Sequence, residues 1–429
     1  MELSHTFVAP RPLAGQDAKT LALASLGGAL EFYDFVIFVF FTAALGHLFF
    51  PPDMPEWLGQ LQTFGIFAAG YLFRPLGGIV MAHFGDKFGR KRMFTLSVAL
   101  MAVPTLMIGL LPTYETLAYG APLLLLLMRI MQGIAIGGEV PGAWVFVSEH
   151  VPFKRIGLAC SLLTTGLSAG ILLGSVVATT INKSFTPAEI LDYAWRFPFI
   201  LGGIFGCAVV YLRQWLQETP VFEEISHLKQ TSKMPLKDLV AGNRTDIVVS
   251  VMVSWLITAC VVVVMLMTPT LLSRIYHLPM ALTIQANTAA TIGLCIGVLA
   301  MGMLSDRFGP AKVAGVGVPL LIASLYGLYI GVGVHPEWLL PLYAITGLCT
   351  GIVSIVPIVM IRSFPAPVRF TGISVCYNLT YAVAGGLTPV VIPLLSQVTP
   401  LAAAHYVALA TTCGMIATFV HAKRTKNRF

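Results

Sequence analysis

Charge is scarce in this chain: only 10% of its 429 residues are Asp, Glu, Lys or Arg, against 57% hydrophobic. So few charges cannot clothe an aqueous surface, and so much apolar side chain cannot be hidden in one water-surrounded core. Lipid is left as the main solvent, and most soluble folds are excluded. The seven cysteines include no Cys-x-x-Cys pair and all lie in apolar runs, so neither a disulfide framework nor a metal site is signalled. No Gly-Lys dipeptide occurs, hence no Walker A phosphate loop and no ATP-driven pump of that type. The nine histidines are scattered toward expected loops and helix ends, and no nucleophile stands beside a base, so no catalytic residue is assigned. Residues 1 to 19 contain no apolar run, and the first hydrophobic segment carries Glu31 and Asp34, which reads as a retained helix rather than a cleaved signal peptide.

What the chain does have is apolar length. About twelve segments can span a bilayer, near 21–49, 57–82, 93–112, 119–147, 157–181, 196–216, 246–272, 282–304, 313–333, 338–361, 371–396 and 401–421. With the N-terminus inside, only Lys183, Arg196 and Arg274 face outward, and Arg74 and Arg129 fall within spans. The remaining Lys and Arg residues lie on the inner side. The positive-inside rule therefore places both termini in the cytoplasm and reads the net charge of +7 as topology, with no nucleic-acid partner. One long polar interruption, 217–245, mixes Glu218, Glu223, Glu224, Lys229, Lys233, Lys237 and Asp238, and is expected to be a linker, partly an amphipathic helix on the membrane surface. The expected fold is an all-α membrane protein of twelve transmembrane helices in two six-helix bundles. Its parts are a cytoplasmic tail (1–20), a first bundle (21–216), the linker (217–245), a second bundle (246–421) and a cytoplasmic tail (422–429).

A short charged phrase occurs twice. Gly85-Asp86-Lys87-Phe88-Gly89-Arg90 and Ser305-Asp306-Arg307-Phe308-Gly309-Pro310 each interrupt two apolar stretches, about half the chain apart, as in a duplicated unit with a tight turn between its second and third helices. Carboxylates inside a bilayer cost roughly 2.5 to 3.5 kcal/mol each, so they face wet cavities and mark ion or proton paths. Glu31 and Asp34, three residues apart, share one face of the first helix, with Gly27 a turn further toward the cytoplasm. Arg129, Gln132, Ile136 and Glu139 follow spacings of three, four and three and share one face of the fourth helix. The two helices run in opposite directions, so Asp34 and Arg129 should lie at one depth near the midplane, with Glu31 and Glu139 nearer the cytoplasm and competing for protons. The alternatives are that an acid merely pairs with Arg129 to tie helices together, and that Glu139 is a structural gate residue.

The second half has almost no ionisable residue deep in its spans, so neutral Asn287, Tyr377, Asn378 and Tyr381 are expected to complete a pocket, unless they serve as helix glue. Asp86, Arg90 and Glu149 can form a charged network at the inner helix ends. Arg74, before Pro75, is expected near the inner membrane edge as an anchor or gate. Gly166, Gly170 and Gly174 leave one side of the fifth helix bare, for sliding or for static packing.

The duplicated turns, the twelve spans and the linker resemble the major facilitator superfamily over nearly the whole chain. The phrases GGALEFYDF (27–35), FRPLGG (73–78), RIMQGIAIGGE (129–139) and VRFTGISVCYN (368–378) resemble the metabolite:proton symporter family within it. The resemblance implies a monomeric symporter that imports a small organic anion, most simply a carboxylate, by alternating access. A proton gradient would be its only driving force and no cofactor is involved. The partners are the anion, the proton and the lipid of a bacterial cytoplasmic membrane, and a zwitterion symporter or an exporter of the same fold is the alternative. Glu31, Asp34 and Glu139 would carry the proton. Arg129, Gln132, Tyr33 and the four neutral residues above would bind substrate. By resemblance, Asp86, Arg90, Glu149, Asp306 and Arg307 are gate residues, and Arg74 and Arg369 are assigned to the gate with them.

Overall fold

The computed structural model describes residues 11–232 and 234–426. The first ten residues of the N-terminal tail, Lys233 and the last three residues of the second tail lie outside the described residues. The described chain is helical throughout. Eleven helices are long and apolar enough to cross a membrane: α1 (Gly15–Phe40), α3 (Arg90–Leu110), α4 (Gly120–His150), α5 (Phe153–Ser184), α6 (Arg196–Arg213), α7 (Arg244–Tyr276), α8 (Met280–Phe308), α9 (Pro310–Val334), α10 (Pro336–Ser363), α11 (Ala366–Leu395) and α12 (Ala402–Thr425). The 33-residue helix α2 (Glu56–Phe88) takes the second place in the order. The first apolar stretch is shorter as a helix than the sequence suggests. The chain leaves α1 at Phe41 and starts a separate helix, Thr42–Phe49.

The duplication read from the turns reappears in the packing. Helix α2 lies against α4 as α8 lies against α10, α3 against α6 as α9 against α12, and α1 against α6 as α7 against α12. Between the halves the pairs are again equivalent, with α5 on α8 and α2 on α11. These contacts are close because small residues meet backbone. A Cβ on Gly170 of α5 would fall onto the Ala29 carbonyl of α1, which assigns that glycine to tight packing within the first half. The outer surface is apolar, and Leu72 is 72% exposed on it, as a side chain facing lipid should be.

The linker departs from its expectation. It forms two short helices, Pro220–His227 and Pro235–Gly242, which pack on protein rather than on a membrane surface. Val221, Phe222 and Ile225 are buried with Ala366, at the start of α11, and Leu239 is fully buried. The sequence suggests an amphipathic helix here, but the partner of its apolar face exists only once the chain is folded.

Candidate functional site

The two charged turns cap helices of the opposite half. The turn after α2 needs a backbone that only glycine adopts freely, and Gly89 supplies it at φ 118°, as Gly309 does at 85° in the second copy. Asp86 thereby reaches the first turn of α11, accepting hydrogen bonds from the backbone N–H of Thr371 at 2.8 Å and Phe370 at 3.4 Å. Its counterpart Asp306 accepts from Gly157 at 2.7 Å and Leu158 at 2.8 Å, at the start of α5. A carboxylate at a helix N-terminus satisfies free donors and meets the positive end of the dipole.

Around Asp86 lies a buried ionic network that spans both halves. Arg90 stands 3.1 Å from Asp86 and 3.2 Å from Glu149, and donates to the Ala366 carbonyl at 2.7 Å. Arg369 of α11 closes on the other oxygen of Glu149 at 2.8 Å. The linker adds two residues that the sequence reading did not single out. Glu218 accepts from the backbone N–H groups of Arg90 and Lys91 at 3.0 and 3.1 Å, capping α3, and the Thr219 hydroxyl donates to Glu149 at 2.7 Å. The network thus joins both halves and the linker at one face. Arg307 stands apart from this network, contrary to expectation. The repeat aligns Gly89-Arg90 with Gly309-Pro310, so Arg307 matches Lys87, and both are exposed with the cation 5.2 Å over the ring of the following phenylalanine.

Replacing Glu149 by glutamine would leave Arg90 and Arg369 with one acid between them, in a place where unpaired charge is costly. The expected outcome is that the linker face opens more often. Labelling of a cysteine placed at Ser374, between the halves, by a membrane-impermeant thiol reagent applied from that face should rise several-fold. Unchanged labelling would count against the gate.

Deeper in the first half are two polar groups. In one, Glu139 of α4 is held by Arg213 at 2.8 Å and accepts from the Ser97 hydroxyl; Arg213 also donates to the Phe94 carbonyl at 2.5 Å and lies 3.5 Å from the Phe94 ring. Arg213, placed by the sequence among the inner-loop cations, is fully buried at the end of α6, and Gly27 is small because its guanidinium passes where a Cβ would sit. In the other group, Asp34 accepts from the Thr105 hydroxyl, Gln132 donates to Thr105 at 2.7 Å, and Arg129 donates to Gln132 at 2.7 Å while lying 4.1 Å over the Phe38 ring. Asp34, Arg129 and Gln132 are thus brought together, whereas Tyr33 turns away, its hydroxyl donating to Pro198 at 2.8 Å.

Glu31 and Arg74 form a third group. Arg74 is not at the inner membrane edge. Helix α2 continues past residue 82 to Phe88, which places Arg74 about 21 Å from that end at the usual helical rise. Its guanidinium lies 5.4 Å from the Tyr71 ring, 5.7 Å from Tyr377 and 5.0 Å from Tyr381, and Glu31 on α1 is buried as well. Asn378 ties the halves together, donating to the Gly137 carbonyl of α4 at 2.7 Å, and Asn287 accepts from Tyr343 at 2.8 Å within the second half. No signal in the sequence links Tyr71, Ser97, Thr105 or Arg213 to these sites, because each is one polar residue in an apolar helix until its partner arrives.

The comparisons with known proteins agree with this architecture. A family model described as Major Facilitator Superfamily matches residues 33–389. The chain belongs to that superfamily; it is an integral membrane transporter and not an enzyme. It is 33% identical to the proline/betaine transporter of Escherichia coli (strain K12), over 96% of this chain and 85% of that protein. It is 31% identical to a putative proline/betaine transporter of Staphylococcus aureus (strain COL), over 94% and 88%. Among solved structures, its fold resembles the proton:xylose symporter XylE (TM-score 0.77, 16% identity, 95% of each chain covered) and FucP in an outward conformation (TM-score 0.70, 15% identity, 94% and 98% covered).

Proposed function

We propose that this chain is a proton-coupled symporter importing a small zwitterion, of the kind formed by a carboxylate and a secondary or quaternary ammonium, across a bacterial cytoplasmic membrane. The linker face is the cytoplasmic one. The observation that carries the reading is the balance of charge in the interior, where Glu31 and Asp34 on α1 are buried along with Arg74 and Arg129. An interior that offers both signs suits a ligand that carries both and is neutral overall. The organic anion of the sequence reading would bring no positive group for the buried acids of α1. The names of the relatives, proline/betaine transporters at 33% and 31% identity, favour the same class.

The coupling proton is carried on α1, with Asp34 as its first site. Glu139 serves as a clamp, because Arg213 and Ser97 engage its carboxylate. Alternating access follows when a loaded interior lets the Asp86, Arg90, Glu149 and Arg369 network part and the linker helices release α11.

The purified chain in proteoliposomes tests this reading. With an inward proton gradient, proline and glycine betaine should accumulate, and a protonophore should abolish the accumulation. Uptake of succinate without either zwitterion would return the reading to the anion. Zwitterion uptake that ignores the proton gradient would remove symport.

A further inference from the structure

Five arginines are buried in the described residues: Arg74, Arg90, Arg129, Arg213 and Arg369. Arg90, Arg213 and Arg369 each have an acid within 3.2 Å. Arg129 is engaged by Gln132 and lies over the Phe38 ring. Arg74 differs. It is 7% exposed, its Nε has no hydrogen-bond partner, no carboxylate among the described residues lies within ion-pair distance, and its surroundings are three tyrosine rings. Across from it on α1, Oε2 of the buried Glu31 has no hydrogen-bond partner either. A donor on α2 and an acceptor on α1, both withdrawn from water, are thus each left with an open hydrogen-bonding atom.

The setting is also unusual. Tyr377 and Tyr381 stand one turn apart on α11, their rings 4.6 Å apart, and Tyr381 begins a π-helical turn, Tyr381–Gly385. Such turns recur where a helix carries function. Tyr71 and Arg74 belong to the first half and the α11 tyrosines to the second, so a ligand seated here would touch both moving bodies.

We infer that Arg74, Glu31 and the rings of Tyr71, Tyr377 and Tyr381 form the seat of the zwitterion: the guanidinium takes the carboxylate through its two-pronged edge, and the Glu31 carboxylate and tyrosine faces take the ammonium. The inference rests on the zwitterion reading above and names the groups that execute it. A quaternary ammonium has no N–H to donate, so aromatic faces and an opposite charge are the means of recognising it. A fork of parallel N–H groups is the matching device for a carboxylate, which a lysine cannot reproduce. When the carboxylate docks, Arg74 is neutralised and its hold on Glu31 and on the α11 rings weakens, which couples occupancy to the contact between the halves.

The test uses the full chain in proteoliposomes, with glycine betaine as substrate and choline, which lacks the carboxylate, as competitor. Arg74→Lys should raise the KM for glycine betaine about tenfold and Arg74→Gln more, and the preference for glycine betaine over choline should collapse with it. A purely structural arginine would change the amount of active protein without changing that preference. If neither Arg74 variant folds, as judged by thermal unfolding in detergent, Tyr381→Leu decides, with an expected rise in KM of about tenfold. Glycine betaine transport by the wild-type chain, with KM and preference unmoved in the Arg74 variants, or with KM unmoved in Tyr381→Leu, overturns the seat and leaves the zwitterion reading standing. Succinate uptake without glycine betaine uptake overturns both.

Discussion

Asp34→Asn is expected to abolish uphill accumulation while leaving exchange of substrate across the membrane. Asparagine keeps the shape of the aspartate and can still accept from Thr105, so the chain from Thr105 through Gln132 to Arg129 persists. What is lost is the proton. A carrier that cannot bind it still rocks between its two mouths when loaded, so counterflow continues, but the proton gradient no longer biases the direction. Under an inward gradient the inside-to-outside ratio should fall to about one, and the counterflow rate should lose its dependence on pH. Accumulation at the wild-type level would remove Asp34 from the coupling path. The symmetrical experiment, Glu31→Gln, separates the two α1 acids. If Glu31 holds the ammonium group, its loss raises the KM, whereas loss of the proton site lowers the accumulation ratio.

Glu139→Ala should have the largest effect on stability. The substitution leaves Arg213, fully buried, without its ion-pair partner while it still donates to the Phe94 carbonyl, and breaking a buried pair from one side costs about 3 to 5 kcal/mol. The purified variant should unfold well below the wild type in a thermal assay in detergent. Removing both charges together, as Glu139→Gln with Arg213→Met, should recover most of the loss, because no uncompensated charge then remains. If the double variant is as unstable as Glu139→Ala, the pair is not the source of the effect. If Glu139→Ala is stable but fails to accumulate substrate, Glu139 belongs to the proton path after all.

The sequence was most informative where a pattern needs no partner. Long apolar runs announce membrane helices because the requirement is local, and the doubled Gly-Asp turn announces two related halves because each copy is legible alone. Spacing also placed Glu31 with Asp34 and Arg129 with Gln132 on shared faces, since helical geometry fixes which residues point the same way. Arg74 shows the limit. Misjudging the end of α2 by a few residues moved it from mid-membrane to the edge, and nothing in its own helix reveals that α11 brings two tyrosines to it.

By itself, then, the sequence determined the solvent of this protein, its helical class, its duplication and the presence of buried acids on α1, because each follows from composition or from periodicity within one segment. Only the tertiary structure decided which charges neutralise one another: Glu139 with Arg213, Glu149 with Arg90 and Arg369, the two turn aspartates with helices of the opposite half, and the linker with the gate. The physical reason is that an ion pair in a low-dielectric interior depends on distances of a few ångströms between segments far apart in the chain, and those distances are set by how whole helices pack.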